Sequence, residues 1–200
     1  MQGEIDTSFT TNQRDLFTSG MAAQIGMNAF GVWLAIKSHA DFNDGEAWPG
    51  VRKLAELTGL GKSTVDRTIQ TLIDAKLLRV LATGKGHKTS RYLARERLDV
   101  KLGGRVLCTI VVDYVPAVLR EKLDRIKTAL KDGKPDPQAF AEVDIIPGPG
   151  FSWNPAEGML KAAIPASELP TVIADAGEAK MLTDLQKKAQ LMRAKREGKE

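Results

Sequence analysis

The chain has 200 residues, of which 42% are hydrophobic and 27% charged, so it can bury the core of one or two globular domains. Nothing near its N-terminus has the basic-then-apolar order of a signal peptide, and no apolar run is long enough to cross a bilayer, which favours a cytoplasmic protein without membrane contact. The single cysteine, Cys108, cannot form an internal disulfide, and its apolar neighbours predict a buried structural thiol.

The formal net charge of +4 is unevenly distributed along the chain. Residues 1–50 carry two Lys/Arg against six Asp/Glu, whereas residues 51–100 carry eleven against five. A localised basic region is typical of nucleic-acid binding. A solvated charged surface is the alternative explanation, but it would not need to coincide with the motif described below.

The chain is predicted to begin with a loose arm over residues 1–11, followed by a short helix or turn within residues 15–25. Residues 28–40 carry apolar side chains at helical spacing and predict the first helix of the core. We expect Asn28 to cap this helix and Trp33 to serve as a packing residue.

Two more predicted helices follow, joined by a short turn that contains glycine. Residues 51–58 carry apolar residues at helical spacing, and Gly59-Leu60-Gly61 then interrupts the pattern with residues that tolerate a tight turn. The next helix has one apolar face, made by Val65, Ile69, Leu72 and Ile73. Two helices joined in this way form a helix-turn-helix unit.

The second of these helices leaves polar and cationic side chains facing outward, mainly in the N-terminal half that enters a DNA major groove. The candidate major-groove residues are Lys62, Ser63, Thr64, Arg67, Gln70 and Thr71. We expect Arg67 and Gln70 to read bases, because Arg pairs with guanine and Gln with adenine through bidentate hydrogen bonds. Arg52 and Lys53, at the positive end of the preceding helix, can hold phosphate.

A β-hairpin is predicted next, with strands over residues 77–81 and 90–94. The loop between them contains glycines that allow a turn and cations that suit a phosphate backbone. The candidate residues of this wing are Lys85, His87, Lys88 and Arg91. A helix-turn-helix followed by such a hairpin is the order of elements in a winged helix.

Four sequence features match a known pattern of a Trp-Pro, a Leu-Ala-x-x-x-Gly, a Thr-Val and a terminal Leu-Leu. They are Trp48-Pro49, Leu54 to Gly59, Thr64-Val65 and Leu77-Leu78. On these features, residues 12–97 resemble the winged helix-turn-helix domains of plasmid and phage replication proteins and related bacterial regulators. The resemblance implies double-stranded DNA as the partner, with a role in replication initiation or in transcriptional regulation. Such initiators often carry two winged helices, and the second half of this chain does not repeat the pattern, so both roles stay open.

Gly103-Gly104 is predicted to separate a DNA-binding domain at residues 1–100 from a small α+β domain at residues 104–170. The elements predicted after it are a strand over 105–112, a helix over 116–131, and short strands over 143–146, 151–153 and 159–164. Dimerisation or partner contact is the expected task of this domain, since a homodimer on an inverted repeat gains specificity.

Residues 178–200 predict an amphipathic C-terminal helix that docks on its own domain or on a partner, and the alternative is a second tail that contacts phosphate. Its apolar residues are Met181, Leu182, Leu185, Ala189 and Met192.

The sequence lacks the common signatures of catalysis and cofactor binding. Gly61-Lys62-Ser63 is not a phosphate loop, because Glu56 stands where that motif needs a glycine. Two histidines and one cysteine do not supply a standard zinc finger, and no nucleophile-elbow sequence is present. We therefore expect a protein that is not an enzyme and that binds no cofactor and no metal.

Together these features predict an α+β protein with an N-terminal winged helix-turn-helix domain, a small α+β domain and a C-terminal helix. The predicted function is sequence-specific binding of double-stranded DNA, as a homodimer, with replication proteins as further partners. The alternative is a protein–protein adaptor in replication or segregation that uses its winged helix to hold a partner. The concentrated positive charge argues against the adaptor, which has no need of it.

Overall fold

The computed structural model describes residues 9–84, 89–133 and 136–162, and within these ranges the chain is an α+β fold. The helices are α1 (Asp15–Thr18), α2 (Met21–Lys37), α3 (Val51–Thr58), α4 (Lys62–Asp74) and α5 (Leu119–Asp132). The strands are β1 (Glu46–Ala47), β2 (Leu78–Ala82), β3 (Arg91–Leu102), β4 (Arg105–Asp113), β5 (Asp144–Pro147), β6 (Phe151–Asn154) and β7 (Met159–Ala162).

Helix α2 begins seven residues before the helix predicted over residues 28–40. Asn28 lies inside α2, so the prediction that it caps the helix is wrong. The physical reason is that Met21 and Ala22 are buried against the core, which draws the preceding segment into the helix. Gly26 interrupts the helical backbone with φ 80° and ψ 158°, and this kink obscured the apolar pattern of the first turns.

Trp33 is a packing residue, as predicted. Its side chain is fully buried, and its ring lies 6.1 Å from the ring of Phe30. The indole N–H donates to the carbonyl oxygen of Leu77 at 3.1 Å. Because Leu77 lies between α4 and β2, this hydrogen bond fixes the point at which the chain leaves α4.

The two helices and the turn predicted from the glycine pattern are confirmed. Helix α3 has the predicted bounds, and Gly59 ends it in the left-handed region with φ 70°. Helix α4 begins directly after Gly61. Leu54 of α3 and Val65 of α4 are both completely buried, so the two helices meet through apolar side chains in the core.

The main sheet has five antiparallel strands and is organised around β3. Strands β1 and β2 pair with the first residues of β3, β4 pairs with residues 95–102, and β5 pairs with β4. Strands β6 and β7 form a separate two-stranded sheet. The predicted strand over residues 90–94 is therefore the start of a 12-residue strand that spans the whole sheet.

Gly103 and Gly104, the predicted boundary between the two domains, form the turn of the β3–β4 hairpin. Their φ values are 58° and 79°, the positive values that a two-residue hairpin turn favours. Strand pairing runs without a break from Leu102↔Arg105 to Arg95↔Asp113, apart from one bulge. A Gly-Gly pair between two apolar runs is a hairpin signal as well as a linker signal, and here the hairpin forms.

One hydrophobic cluster extends through both halves of the chain. It contains Leu54 and Leu72 from the helices before the hairpin, and Ile110 and Ile126 from the elements after it. The hairpin thus joins two parts that share a core.

The elements after the hairpin follow the predicted order of strand, helix and three strands. Helix α5 begins at Leu119 rather than at Pro116, because the residues between them form a turn in which the Leu119 N–H donates to Val115. Gly133 ends α5 with φ 61°, as predicted. The end of the strand predicted over 159–164 and the whole helix predicted over 178–200 lie outside the described residues.

The most deeply buried charges belong to Lys37 of α2 and Glu96 of β3. Their ammonium nitrogen and carboxylate oxygen are 2.5 Å apart, and each side chain is no more than 1% exposed. The ammonium also donates to the carbonyl oxygen of Thr11 and to the side-chain oxygen of Asn12, at 2.5 and 3.0 Å. All three ammonium protons therefore have acceptors, which is what makes burial of this charge tolerable.

Two aromatic rings enclose the Lys37 ammonium. The nitrogen lies 4.2 Å from the ring centroid of Trp33 and 4.1 Å from that of Tyr114. Burial lowers the pKa of Lys37 and raises the pKa of Glu96, while the attraction between the two groups opposes both shifts. Each of the two groups therefore keeps its charge in the core because the opposite charge lies beside it.

We expect Lys37→Met to lower the free energy of unfolding by about 3–5 kcal/mol, because it leaves the carboxylate of Glu96 buried without its cation. Arg125→Ala is the control: it breaks a pair with Glu121 whose side chains are 58% and 76% exposed. That loss should stay below about 1 kcal/mol. Urea unfolding followed by tryptophan fluorescence measures both, and equal losses would contradict the central role of Lys37.

Cys108 should be unreactive in the folded protein. It is 4% exposed, and burial, helped by the charge of Asp99, raises the pKa of its thiol to about 11. At pH 8 only about one thiol in a thousand is therefore ionised. A maleimide or disulfide reagent should label Cys108 slowly in buffer and rapidly in denaturant, whereas fast labelling in buffer would show that the strand is not packed as described.

A chain that ends at Leu102 tests the predicted division between residues 1–100 and 104–170. Such a chain loses β4, which pairs along β3, and the buried residues of α5. We expect it to unfold without a cooperative transition. A truncated chain that unfolds cooperatively, with the midpoint of the full chain, would instead support two independent domains.

Candidate nucleic-acid interface

Helix α4 is held in place by its inner face. Val65 and Leu72 are completely buried, and Thr68 between them is 8% exposed. The Thr68 hydroxyl donates to the carbonyl oxygen of Val65 at 2.8 Å, so its polar atom is satisfied within the helix. These positions lie three and four residues apart, on one face, which fixes the rotation of α4 about its own axis.

The side chains predicted to enter a major groove lie on the other face of the same helix. They are exposed except for Thr64, which is half-buried. The structure brings together Lys62, Ser63, Thr64, Arg67, Gln70 and Thr71 on α4. No acidic side chain within the described part of the chain forms an ion pair with Lys62.

Several of these side chains bind within α4 itself. The Arg67 Nε–H donates to the carbonyl oxygen of Ser63 at 3.3 Å, and the Thr71 hydroxyl donates to that of Arg67 at 3.1 Å. The Gln70 amide donates to a carboxylate oxygen of Asp74 at 2.8 Å. Gln70 still has its second amide proton and its carbonyl oxygen, which are the groups that pair with adenine.

Arg52 and Lys53 lie on the exposed side of α3, in its first turn. Arg52 is 83% exposed and forms an exposed ion pair with Glu56 at 3.3 Å, a contact that a phosphate can replace. Gly50, directly before α3, is close to Thr89: a Cβ atom at this glycine would lie 3.5 Å from the Thr89 methyl group. The start of α3 therefore lies beside the base of the β2–β3 loop.

Of the four predicted wing residues, Lys85, His87 and Lys88 lie outside the described residues. Arg91 is described, and its guanidinium lies 3.4 Å from the carboxylate of Glu46 in β1. Its side chain is 46% exposed, so Arg91 has a structural partner while part of it faces solvent.

Part of the positive charge of residues 51–100 is neutralised by carboxylates elsewhere in the sequence. Asp113 binds both Arg79, at 2.7 Å, and Arg95, at 3.0 Å. Arg95 also binds Asp144 at 2.6 Å. The charge count along the sequence therefore overstated the basic surface, because the partners of these arginines belong to later strands.

Sequence reasoning missed Arg97 of β3, which acts at the end of α4. Its guanidinium donates to the carbonyl oxygen of Ala75 at 3.0 Å, where the helix dipole favours a cation. The two residues are 22 positions apart, and no local pattern links them. Arg97 is thus a positioning residue for α4.

In the described ranges no three His, Cys, Asp or Glu side chains are grouped closely enough to hold a metal ion. None of the described helices combines the length and the apolar character needed to cross a membrane.

Comparison with known protein families gives a match to the region that contains α4. Residues 23–78 match the family model of a helix-turn-helix domain. No curated protein and no solved structure gives a significant match to the chain. The matched span begins within α2, includes α3, the glycine turn and α4, and ends at the first residue of β2. Over residues 23–78 the chain is therefore similar to a helix-turn-helix domain.

Proposed function

We propose that the protein binds double-stranded DNA in a sequence-specific manner by placing α4 in the major groove. The observation that carries this proposal is the two-sided character of α4, whose inner face is locked in the core while Lys62, Arg67 and Gln70 face solvent. An α-helix with side chains is about 10–12 Å across and the major groove is about 12 Å wide, so the helix fits. Arg67 and Gln70 read base edges, and Lys62 contacts a phosphate.

We further propose that the protein is a winged helix. The order α2, β1, α3, α4, β2, β3 supports this, since the β2–β3 loop then lies in the position of a wing. Lys85, His87 and Lys88 would hold the flanking backbone or minor groove. The closeness of Gly50 to Thr89 supports a shared phosphate contact between the wing and the start of α3.

The proposed setting is origin recognition in replication initiation or regulation of transcription, by a homodimer that binds an inverted repeat and needs no cofactor. A single helix-turn-helix unit gives modest specificity, and two-fold symmetry doubles the contacts. Sedimentation of the full chain at micromolar concentration tests the dimer, and a monomer that binds two half-sites independently would contradict it.

We expect Arg67→Ala to weaken binding to a specific site by about 1–3 kcal/mol, which is about 5- to 150-fold, with a smaller effect on random duplex. Arg67→Lys keeps the charge but loses the bidentate geometry, so it should also lose discrimination at one base pair. Lys101→Ala is the matched control, because it also removes an exposed cation. Lys101 lies near the end of β3, about 30 Å along the strand from Arg91 at its start.

Fluorescence anisotropy at two salt concentrations measures these effects, with a random duplex and the DNA upstream of the protein's own coding region as probes. Tighter binding to the upstream DNA, with a steep salt dependence on both probes, would support sequence-specific DNA binding. Equal behaviour of Arg67→Ala and Lys101→Ala would contradict the role of Arg67. No binding to either probe at low salt would overturn the proposed function in favour of the adaptor.

A further inference from the structure

Trp48 is an exposed aromatic side chain that does not contribute to the core. It is 49% exposed, whereas Trp33 is fully buried and Trp153 packs against the core, with its ring 5.0 Å from that of Phe140. Within the described ranges Trp48 belongs to no part of the hydrophobic cluster. Its indole N–H donates to no acceptor among the described residues. A large apolar ring and a free hydrogen-bond donor therefore face solvent together.

The backbone around Trp48 is fixed on both sides. Ala47 is buried in β1, which pairs with β3, and Pro49 is buried as well. A proline restricts the residue before it to an extended backbone. Exposure alternates accordingly, so the Trp48 side chain lies on the same side of β1 as Glu46, which binds Arg91. Because only its two side-chain torsions are free, the ring loses little freedom when it binds a partner.

Trp48 lies between the start of α3 and the base of the β2–β3 loop. Gly50 directly precedes α3, and a Cβ atom at this glycine would lie 3.5 Å from the Thr89 methyl group. Arg52 and Lys53 follow in the first turn of α3, and Lys53 forms no ion pair within the described part of the chain. The ring is therefore next to the two elements already proposed to contact phosphate.

The carboxylates near this tryptophan are paired or lie at the other end of β1. Glu46 lies 3.4 Å from the guanidinium of Arg91, and Glu56 lies 3.3 Å from that of Arg52. The acidic turn at residues 41–44 precedes β1 and binds backbone N–H groups of its own loop and of β1. The unpaired ammonium in the first turn of α3 leaves this surface positive, which favours a phosphate over an acidic or uncharged partner.

We propose that Trp48 contacts the sugar–phosphate backbone of the duplex, with its ring against a deoxyribose and its indole N–H donating to a phosphate oxygen. Tryptophan can only donate, and phosphate oxygens only accept, so the two groups are complementary. The inference rests on the proposed function, because a duplex with α4 in its major groove runs its backbone along the start of α3 and the loop base. The contact adds affinity without reading a base and without adding a charge.

Trp48→Ala should weaken binding to the upstream DNA and to a random duplex by the same factor, about ten-fold, because the lost hydrogen bond goes to a charged group. The salt dependence of the affinity should keep its slope, since an uncharged side chain releases no counterion. Trp48→Phe keeps an apolar ring and loses the donor, so its effect should be intermediate. It also carries the test if Trp48→Ala fails to fold.

Phe17→Ala is the matched control for fluorescence anisotropy of the full chain. It removes an aromatic ring that is 57% exposed on α1. Asp15 of the same helix accepts the backbone N–H of Asp99, eight residues along β3 from its start at Arg91. Phe17 therefore lies far from the loop base, and its loss should leave binding to both duplexes unchanged.

Acrylamide quenching of tryptophan fluorescence locates the contact. Acrylamide is uncharged and reaches exposed rings, so it should quench Trp48 in the free protein and leave Trp33 unquenched. Adding random duplex should protect the wild type, and the protected fraction should be missing in Trp48→Phe.

The outcomes separate this inference from the proposed function. Equal binding by Trp48→Ala and Phe17→Ala, with the wild type bound to duplex, would overturn the inference and leave the proposed function standing. A loss confined to the upstream DNA, or a changed salt slope, would show that Trp48 acts through the helices and would overturn it as well. So would protection that appears without DNA as the protein concentration rises, which indicates a protein partner. A wild type that binds no duplex would overturn the proposed function itself.

Discussion

The ammonium group of Lys37 is buried where four segments of the chain meet. The arm at residues 11–12 and Glu96 of β3 supply its acceptors, while Trp33 of α2 and Tyr114 after β4 enclose it. Burying a charge is costly unless every proton keeps an acceptor, so these segments must hold one relative geometry. This constraint sets α2 against β3 and connects the helices with the sheet.

The exposed face of α4 takes its position from that framework. Trp33 lies one turn before Lys37 and donates to Leu77, so α2 also fixes the exit of the chain from α4. Arg97 of β3 donates to the carbonyl oxygen of Ala75, directly after the end of α4. A helix that recognises a DNA sequence must hold its side chains at fixed positions relative to the base edges. Rigid neighbouring elements keep the helix in that position. The residues that specify the fold and those proposed to read DNA are therefore different sets on shared elements.

Local signals predicted α3, the glycine turn and α4, and long-range contacts could not be predicted. The bounds of α3 and the turn at Gly59 follow from apolar spacing and glycine chemistry, which depend on near neighbours. The Lys37–Glu96 pair joins residues 59 positions apart; its one sequence clue is a lysine four residues after Trp33 on the apolar stripe. Gly103-Gly104 was interpreted from its sequence as a domain boundary, and its role as a hairpin turn follows only from the pairing of β3 with β4 on either side of it.

An NMR titration of the isotope-labelled full chain with a short duplex at low salt tests the central claim most directly. We expect the amide shifts to concentrate in residues 62–71 and 52–53, the proposed interface on α4 and at the start of α3, and we expect residues 119–130 of α5 to remain unchanged. Shifts centred on α5, or an absence of shifts under conditions that favour phosphate contacts, would contradict it.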